Sequence, residues 1–423
     1  MNTTTLDKSR AVSSLQALPG HAPAAAHAVF GLLRRLRHGT LDVQLPDGSQ
    51  MHFGGAPEHA TLRAALRLHN WNVCSAALKS GDIGFAESYI AGDWTTPDLT
   101  ALLELFIANR DDIEGVIYGS WWGSLLYRLK HLLNRNSRSG SRKNIHAHYD
   151  LGNEFYRLWL DPTMSYSSAW FEGRSGQALR EADLVAAQQA KVRRALQECG
   201  LERSAAPRVL EIGCGWGGLA EIAGREFGAR VTGVTLSTEQ LAWAQQRMAT
   251  AGLADQSDLR LQDYRDISDG PFDAIASIEM FEAVGREYWP SFFRTVHDRL
   301  KPGGRACIQS ITIRDDLFER YLKSTDFIQQ YIFPGGVLPS KSAFREQARA
   351  AGLQVCNELA FGADYAETLR RWREIFLREE AAVRRVGFDT RFMRIWEFYL
   401  AYCEAAFATG NTDVVQFTLT RPA

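Results

Sequence analysis

The stretch Val209-Leu-Glu-Ile-Gly-Cys-Gly-Trp-Gly-Gly218 constrains the fold of this chain more than any other. An apolar run breaks there into closely spaced glycines, and Gly213, Gly215 and Gly217 leave no Cβ at alternate positions. A backbone bared in this way lets a ligand approach closely at a strand-to-helix turn. Leu219-Ala-Glu-Ile-Ala-Gly-Arg-Glu-Phe227 reads helical, so the loop lies at the positive end of a helix within a βαβ unit. The next predicted strand, Arg230–Leu236, lacks the acid that a dinucleotide fold places about 20 residues past its glycines. It ends in Thr235, Leu236 and Ser237, and the nearest acid, Glu239, already belongs to a predicted helix. No Lys-Ser/Thr pair follows the glycines, which excludes a nucleoside-triphosphate P-loop.

Around this loop strands and helices alternate. Candidate strands are Arg208–Ile212, Arg230–Leu236, Leu259–Gln262, Phe272–Ile278 and Gly304–Ile313, with helices starting near Leu219, Ser237 and Arg286. The alternation predicts an α/β fold, a Rossmann-like, mostly parallel doubly wound sheet. Val414–Arg421 alternates and is expected at a sheet edge, and Asp315–Ala408 reads as one long helical insertion that would form a lid over the substrate. Ahead of this region, Ala25–Arg37 and Asn72–Tyr89 read as helices and Thr40–Phe53 as a hairpin around Pro46-Asp-Gly48. The expected organisation is a disordered lead-in (1–19), a smaller mixed α/β accessory domain (20–117), a connector (118–143) and a catalytic domain (144–423).

The connector region Gly115–Tyr149 holds no Asp or Glu, and interleaves Tyr118, Trp121, Trp122 and several leucines with Arg128, Lys130, Arg135, Arg138, Arg142 and Lys143. Such a segment suits a transient anionic membrane surface, at about 1 kcal/mol per basic residue. A helix packed on its neighbour, followed by a solvated linker, explains it equally well. No apolar run approaches the ~18 residues of a membrane-spanning helix, so the expected location is cytoplasmic, peripheral at the inner membrane surface. A net charge of −1 argues against a nucleic-acid partner. Six scattered cysteines without a Cys-x-x-Cys give neither a metal site nor a disulfide framework.

Asn144-Ile-His-Ala-His-Tyr-Asp-Leu-Gly-Asn153, Tyr166-Ser-Ser-Ala169, Leu210-Glu-Ile-Gly-Cys-Gly-Trp-Gly217, Gly233-Val-Thr-Leu-Ser237, Gln262-Asp-Tyr-Arg-Asp266, Met280-Phe-Glu282, Tyr331-Ile-Phe-Pro334 and Phe361-Gly-Ala-Asp-Tyr365 follow one another in order. In these blocks the chain resembles cyclopropane fatty acid synthases and mycolic acid methyltransferases, and its N-terminal region resembles that of the longer phospholipid-acting members. The resemblance implies methyl transfer from S-adenosyl-L-methionine to the cis double bond of an unsaturated phospholipid acyl chain, with ring closure by proton loss from the new methyl group. It also suggests a possible homodimer. Gly213, Cys214 and Gly215 would meet the methionine part of the cofactor, and Thr235, Leu236 and Gln240 the ribose. Asp263 and Tyr264 would meet the adenine, Tyr166 and Ser167 the amino-acid end, and Ile278 would border the cofactor.

The same resemblance implies a bound bicarbonate ion as the base, and here the chain departs from the family pattern. Glu282 and Tyr365 match family ligands, but Ser168 stands at a cysteine position and Gln309 at a histidine position. Ile311 falls where a backbone amide is offered, Ala283 replaces a histidine, and Glu279 stands where the family has a small residue. Serine and glutamine still hydrogen-bond an anion, but a second inward carboxylate would disfavour one and could itself serve as base. Proton loss without ring closure would leave a methylene- or methyl-branched chain. Tyr149 is expected to contact the anion or the cation, with His146 and His148 behind it, and Phe281, Tyr331, Phe333 and Trp372 are candidates for an acyl tunnel. A methyltransferase for another small molecule, or a lipid-binding protein without turnover, are the rival expectations.

Overall fold

The computed structural model describes residues 18–55, 62–113, 151–201 and 205–423. Most of the lead-in, the basic aromatic connector, and His146, His148 and Tyr149 lie outside the described residues.

The N-terminal region starts with helix α1 (Ala24–Leu33). Strands β1 (Thr40–Gln44) and β2 (Gln50–Gly54) pair antiparallel around the Asp47–Gly48 turn, as the sequence predicts. Two further strands were not legible: β3 (Arg63–Leu68) lies parallel to β1, and the short β4 (Trp94–Thr95) closes the sheet in the order β2-β1-β3-β4. Helix α2 (Asn72–Ala91) kinks at Gly81, whose φ of 59° and ψ of −132° a side chain would oppose. Helix α3 (Leu99–Ala108) is capped by Asp98, which accepts a hydrogen bond from the Ala101 amide at 3.0 Å.

The catalytic region is built on seven strands: β5 (Arg208–Ile212), β6 (Arg230–Thr235), β7 (Ser257–Leu261), β8 (Phe272–Ile278), β9 (Leu300–Ile313), β10 (Gln354–Ala360) and β11 (Thr412–Thr420). Their order is β10-β11-β9-β8-β5-β6-β7, with β5 to β9 parallel and β11 antiparallel to both neighbours. The chain runs outward from β5 through β6 to β7 and returns on the other side of β5 as β8. That reversal opens a crevice beyond the carboxyl ends of β5 and β8, the usual ligand position in such sheets.

Two expectations are corrected. Strand β11 is internal, because Val414 to Leu419 are buried on both faces, while the half-exposed β10 forms the edge. Its alternation had suggested one wet face; both faces are covered. Nor is Asp315–Ala408 one insertion. Helix Lys341–Ala350 packs on the sheet, with Phe344 stacked on Phe417 at 3.9 Å, and leads into β10. The truly inserted helices are Asp315–Tyr321 and Phe327–Tyr331 before it, and Gly362–Arg378 to Thr390–Ala408 after it.

These inserted helices share one apolar cluster with the N-terminal region, in which Trp94, Phe327, Trp372 and Phe398 are fully buried. Each such side chain contributes about 1.5–3 kcal/mol by leaving water. Polar contacts add direction: the hydroxyls of Tyr331, Tyr89 and Tyr402 donate to Glu87 at 2.6 Å, Glu397 at 2.7 Å and Asp82 at 2.9 Å.

Candidate active site

The glycine loop takes the conformation its composition predicts. Gly213, Gly215 and Gly217 have φ of 88°, 49° and 81°, and the amides of Gly213 and Cys214 both donate to the Val234 carbonyl, at 2.9 and 3.0 Å. Helix Gly218–Phe227 starts directly behind, offering its positive end. Cys214 is buried, and burial pushes its thiol well above the ordinary range, so it packs rather than reacts. A Cβ on Gly213 would lie 2.8 Å from the Met280 side chain, whereas one on Gly215 would meet nothing within 4 Å. The loop is therefore tight against β8 on one side and open on the other. Replacing Gly213 by alanine adds both a left-handed strain and that contact, so cofactor affinity measured by calorimetry is expected to fall at least about tenfold.

At the end of β6 the Thr235 hydroxyl donates to Gln240 Oε1 at 3.0 Å, and the Ser237 side chain caps the next helix through the Gln240 amide at 3.2 Å. Leu236 is half-buried between them. A neutral hydroxyl–amide pair thus stands where a dinucleotide fold places its acid. Asp263 is held by the Arg265 amide at 3.0 Å and Arg265 Nε at 2.8 Å. Tyr264 lies buried 5.6 Å from the Phe292 ring, with its hydroxyl unpartnered. Below the glycine loop, burial raises the Glu211 carboxyl well above its ordinary range, and its Oε2 has no partner. A left-handed glycine loop open at Gly215, a helix amino end, a neutral pair on β6 and a buried acid make a set of groups that fits S-adenosylmethionine.

The chemical groups gather where β8 and β9 end. Strand β8 finishes at the half-buried Ile278, and Glu279 follows with a φ of 49°. A non-glycine residue in that region costs about 1–2 kcal/mol, which the surroundings must impose. They do so from several directions. The Glu279 amide donates to the Gln309 carbonyl at 2.8 Å. Its carboxylate accepts from the Ser168 amide at 2.8 Å, Gln309 Nε2 at 2.7 Å and the Tyr365 hydroxyl at 2.7 Å. Ser168, Gln309 and Tyr365 are the positions expected to bind an anion, and the chain's own carboxylate takes their hydrogen bonds.

Glu282, on the short turn after β8, accepts from the Ile311 amide on β9, while its Oε2 is buried without a partner among the described residues. Burial first, and the nearby Glu279 charge second, push the Glu282 carboxyl up to about 8. Burial also raises Glu279, but Tyr365, Lys191, Ser168 and Gln309 all pull it down. Glu282 therefore keeps its proton up to about pH 8, while Glu279, raised by burial, is the carboxyl that three hydrogen-bond donors stabilise as an anion. Among the described residues bicarbonate does not fit here, because the donors it needs, the Ser168 and Ile311 amides, Gln309 and Tyr365, are engaged by the chain's own carboxyls.

Some expected roles change in detail. The Ser168 hydroxyl is fully buried and donates to the Ala169 carbonyl at 2.9 Å, so its backbone amide, not its side chain, meets the anion position. Ser167 Oγ accepts from Lys191 Nζ at 2.5 Å. Tyr166 shares a 2.7 Å hydrogen bond with Tyr399 and lies 5.6 Å from Trp372 and 6.5 Å from Phe333, forming an aromatic wall. Phe281 is not part of that wall. It is fully buried under β8 among Trp289, Phe292, Phe293 and Phe344.

The sequence reading missed Lys191, Gln416 and Tyr399. Lys191 occupies the buried face of helix Leu184–Glu198 beside Ala187, Gln188 and Ala195. A lysine among apolar helix positions was the available signal. Burial brings it down to about 8, while Glu279 and Asp161 hold it up.

A Rossmann-like sheet with this loop and this capped crevice defines an S-adenosylmethionine-dependent methyltransferase. The family model described as mycolic acid cyclopropane synthetase matches residues 136–417, and the chain belongs to that family. It is 37% identical over 418 residues to the tuberculostearic acid methyltransferase UfaA1 of Mycobacterium tuberculosis, covering 98% of this chain and 96% of the relative. To the cyclopropane-fatty-acyl-phospholipid synthase of Escherichia coli K12 it is 33% identical over 361 residues, covering 85% and 88%. Among solved structures, mycolic acid cyclopropane synthase CmaA1 complexed with SAH and CTAB matches with a TM-score of 0.60 at 33% identity, over 66% of this chain and 97% of that one. S-adenosylmethionine is the cofactor. Among the described residues no helix is long and apolar enough to cross a membrane.

Proposed function

We propose that this methyltransferase adds a methyl group to the cis double bond of an unsaturated phospholipid acyl chain, and that Glu279 removes the proton that ends the reaction. The observation supporting this is the Glu279 carboxylate itself, set among Ser168, Gln309 and Tyr365 at a strained backbone position. Gly213 and Gly215 would face the methionine part of the cofactor, Thr235 and Gln240 the ribose, Asp263 and Tyr264 the adenine, and Tyr166 and Ser167 the amino-acid end. Bound there, S-adenosylmethionine supplies an electrophilic methyl group. The aromatic wall of Tyr166, Tyr399, Phe333 and Trp372 would border the carbon cation that methylation leaves on the acyl chain and exclude water from it.

The favoured product is a methylene-branched chain. It forms when a 1,2-hydride shift carries the cation to the methyl-bearing carbon and Glu279 then takes a methyl proton, leaving a C=CH2 double bond on the chain. The relative named for tuberculostearic acid, matched along its whole length, supports this reading. A second reading, ring closure by proton loss before the shift, is favoured by the retained Glu282, Ile311 amide and Tyr365. The relative named cyclopropane-fatty-acyl-phospholipid synthase speaks for it and for a phospholipid substrate.

Mass spectrometry of lipids from cells expressing the chain separates the two. A gain of one CH2 with a double bond still present, which mild hydrogenation then reduces, is the expected result. The same gain with no reducible double bond and an acid-labile ring would establish ring closure. No gain on any lipid, with cofactor still bound, would overturn the function. For the membrane surface, the connector Gly115–Tyr149 is the proposed contact, tested by flotation with anionic against neutral vesicles. Equal flotation in both would discard that role.

A further inference from the structure

Behind Glu279 runs a line of buried amides with a single possible direction. Gln309 on β9 and Gln416 on β11 face each other across the antiparallel pair, and both are fully buried. Arg194, on helix Leu184–Glu198, donates from Nη1 to Gln416 Oε1 at 2.5 Å. Gln416 Nε2 donates to Gln309 Oε1 at 3.0 Å and to the Lys191 carbonyl at 3.1 Å. Gln309 Nε2 then donates to Glu279 Oε1 at 2.7 Å.

The order of these bonds follows from the donor inventory. A guanidinium has donors only, so it admits only the oxygen end of Gln416. The amide nitrogen of Gln416 must then face Gln309, whose oxygen must face Gln416 and whose nitrogen must face Glu279. A glutamine without this constraint can rotate its amide by half a turn and present an oxygen to the carboxylate. Two oxygens would then meet, which favours protonated Glu279, a form that cannot accept a proton.

We propose that Gln416 is a positioning residue of the reaction, which, oriented by Arg194, locks Gln309 as a donor and so keeps Glu279 in its proton-accepting form. The inference rests on the reading of Glu279 as base for its consequence, but the relay itself is read without turnover. Besides Gln309, the titratable or charged groups facing Glu279 are Lys191 from helix Leu184–Glu198, Glu282 from the turn after β8 and Tyr365 from helix Gly362–Arg378. Asp161 acts on Lys191 in turn. Gln416 is uncharged and meets Lys191 at the backbone carbonyl, while the Lys191 ammonium is held by Ser167 Oγ at 2.5 Å and Gln188 Oε1 at 2.7 Å, so a shift in Gln416→Met reports the amide relay.

The experiment is infrared titration of the carboxyl bands of the cofactor-free protein, with the Glu279 band assigned by its loss in Glu279→Gln. In Gln416→Met the midpoint of Glu279 is expected to rise by about one pH unit, and in Arg194→Met, where the Lys191 carbonyl still holds the Gln416 nitrogen, by less. In Arg194→Lys, which still offers Gln416 a donor, it is expected to stay with the parent. The acidic limb of the pH–kcat profile should move with it, while cofactor affinity stays constant. An unmoved midpoint in Gln416→Met, with parental circular dichroism, would overturn the relay. Should Gln416→Met not fold, Gln416→Leu, which also removes both ends of the amide, decides in its place. If the midpoint moves but Glu279→Gln keeps full activity, the relay stands and the reading of Glu279 as base fails.

Discussion

Replacing Glu279 by glutamine is expected to lower kcat by about 10²–10⁴-fold, the range for loss of a positioned base, with cofactor affinity unchanged. Glutamine keeps the size and can still accept from the Ser168 amide and Gln309 through its oxygen while its nitrogen meets the Tyr365 hydroxyl, but it cannot take a proton. Glu279→Gly should be equally inactive yet keep the fold, since a φ of 49° suits glycine. The strain of about 1–2 kcal/mol that it releases offsets part of the lost hydrogen bonds. It also frees the Ser168 amide, Gln309 and Tyr365 for a small anion. Bicarbonate or formate added to Glu279→Gly should therefore restore part of the activity, and should do nothing for Glu279→Gln, where the side chain still fills the site. Parent-like turnover by either variant in single-turnover methyl transfer would remove Glu279 from the mechanism.

The contrasting result is expected at Glu282. With its carboxyl held neutral up to about pH 8, glutamine is a near-isosteric substitute that still accepts from the Ile311 amide. Turnover at pH 7 should fall no more than about tenfold, the scale of one hydrogen bond. The parent should lose activity on the alkaline side as Glu282 ionises beside Glu279, and on the acidic side as Glu279 is protonated. Glu282→Gln keeps the acidic limb and loses the alkaline one.

Stability moves in the opposite sense. A carboxyl whose folded-state value lies above its unfolded value of 4.5 keeps its proton in the folded chain after the unfolded chain has lost it. Folding stability therefore falls as pH rises from about 4.5 to about 8. The full shift corresponds to about 4–5 kcal/mol, and a side chain that is only half-buried should realise about 1–3 kcal/mol of it. The Tm of Glu282→Gln should thus match the parent at pH 5 and exceed it by a few degrees at pH 8. A difference that shrinks toward high pH would show that Glu282 is ionised throughout.

The sequence was most legible where a local pattern has a local cause. Gly213, Gly215 and Gly217 required a left-handed loop, and Thr235 without an acid required something other than a dinucleotide. Strands Arg208–Ile212 and Phe272–Ile278 are found at the expected residues. Short β3 and β4 were missed because their alternation is weak, and β11 was misplaced because burial on both faces is set by β9 and β10, not by its own residues. Phe281 and Phe333 look alike in sequence; one fills the core below the sheet and the other joins the aromatic wall.

The sequence by itself determined the cofactor fold and the family, because a glycine loop and ordered motifs work through backbone conformation that neighbouring residues dictate. It also showed Glu279 as an extra acid beside Glu282. Only the tertiary structure decided that this acid turns inward and takes the donors of Ser168, Gln309 and Tyr365, residues 111, 30 and 86 positions away. Which of two adjacent carboxyls stays neutral, and which way a buried amide points, depend on burial and on the donors across the fold. Such quantities belong to the low-dielectric space the folded chain encloses, and no local pattern carries them.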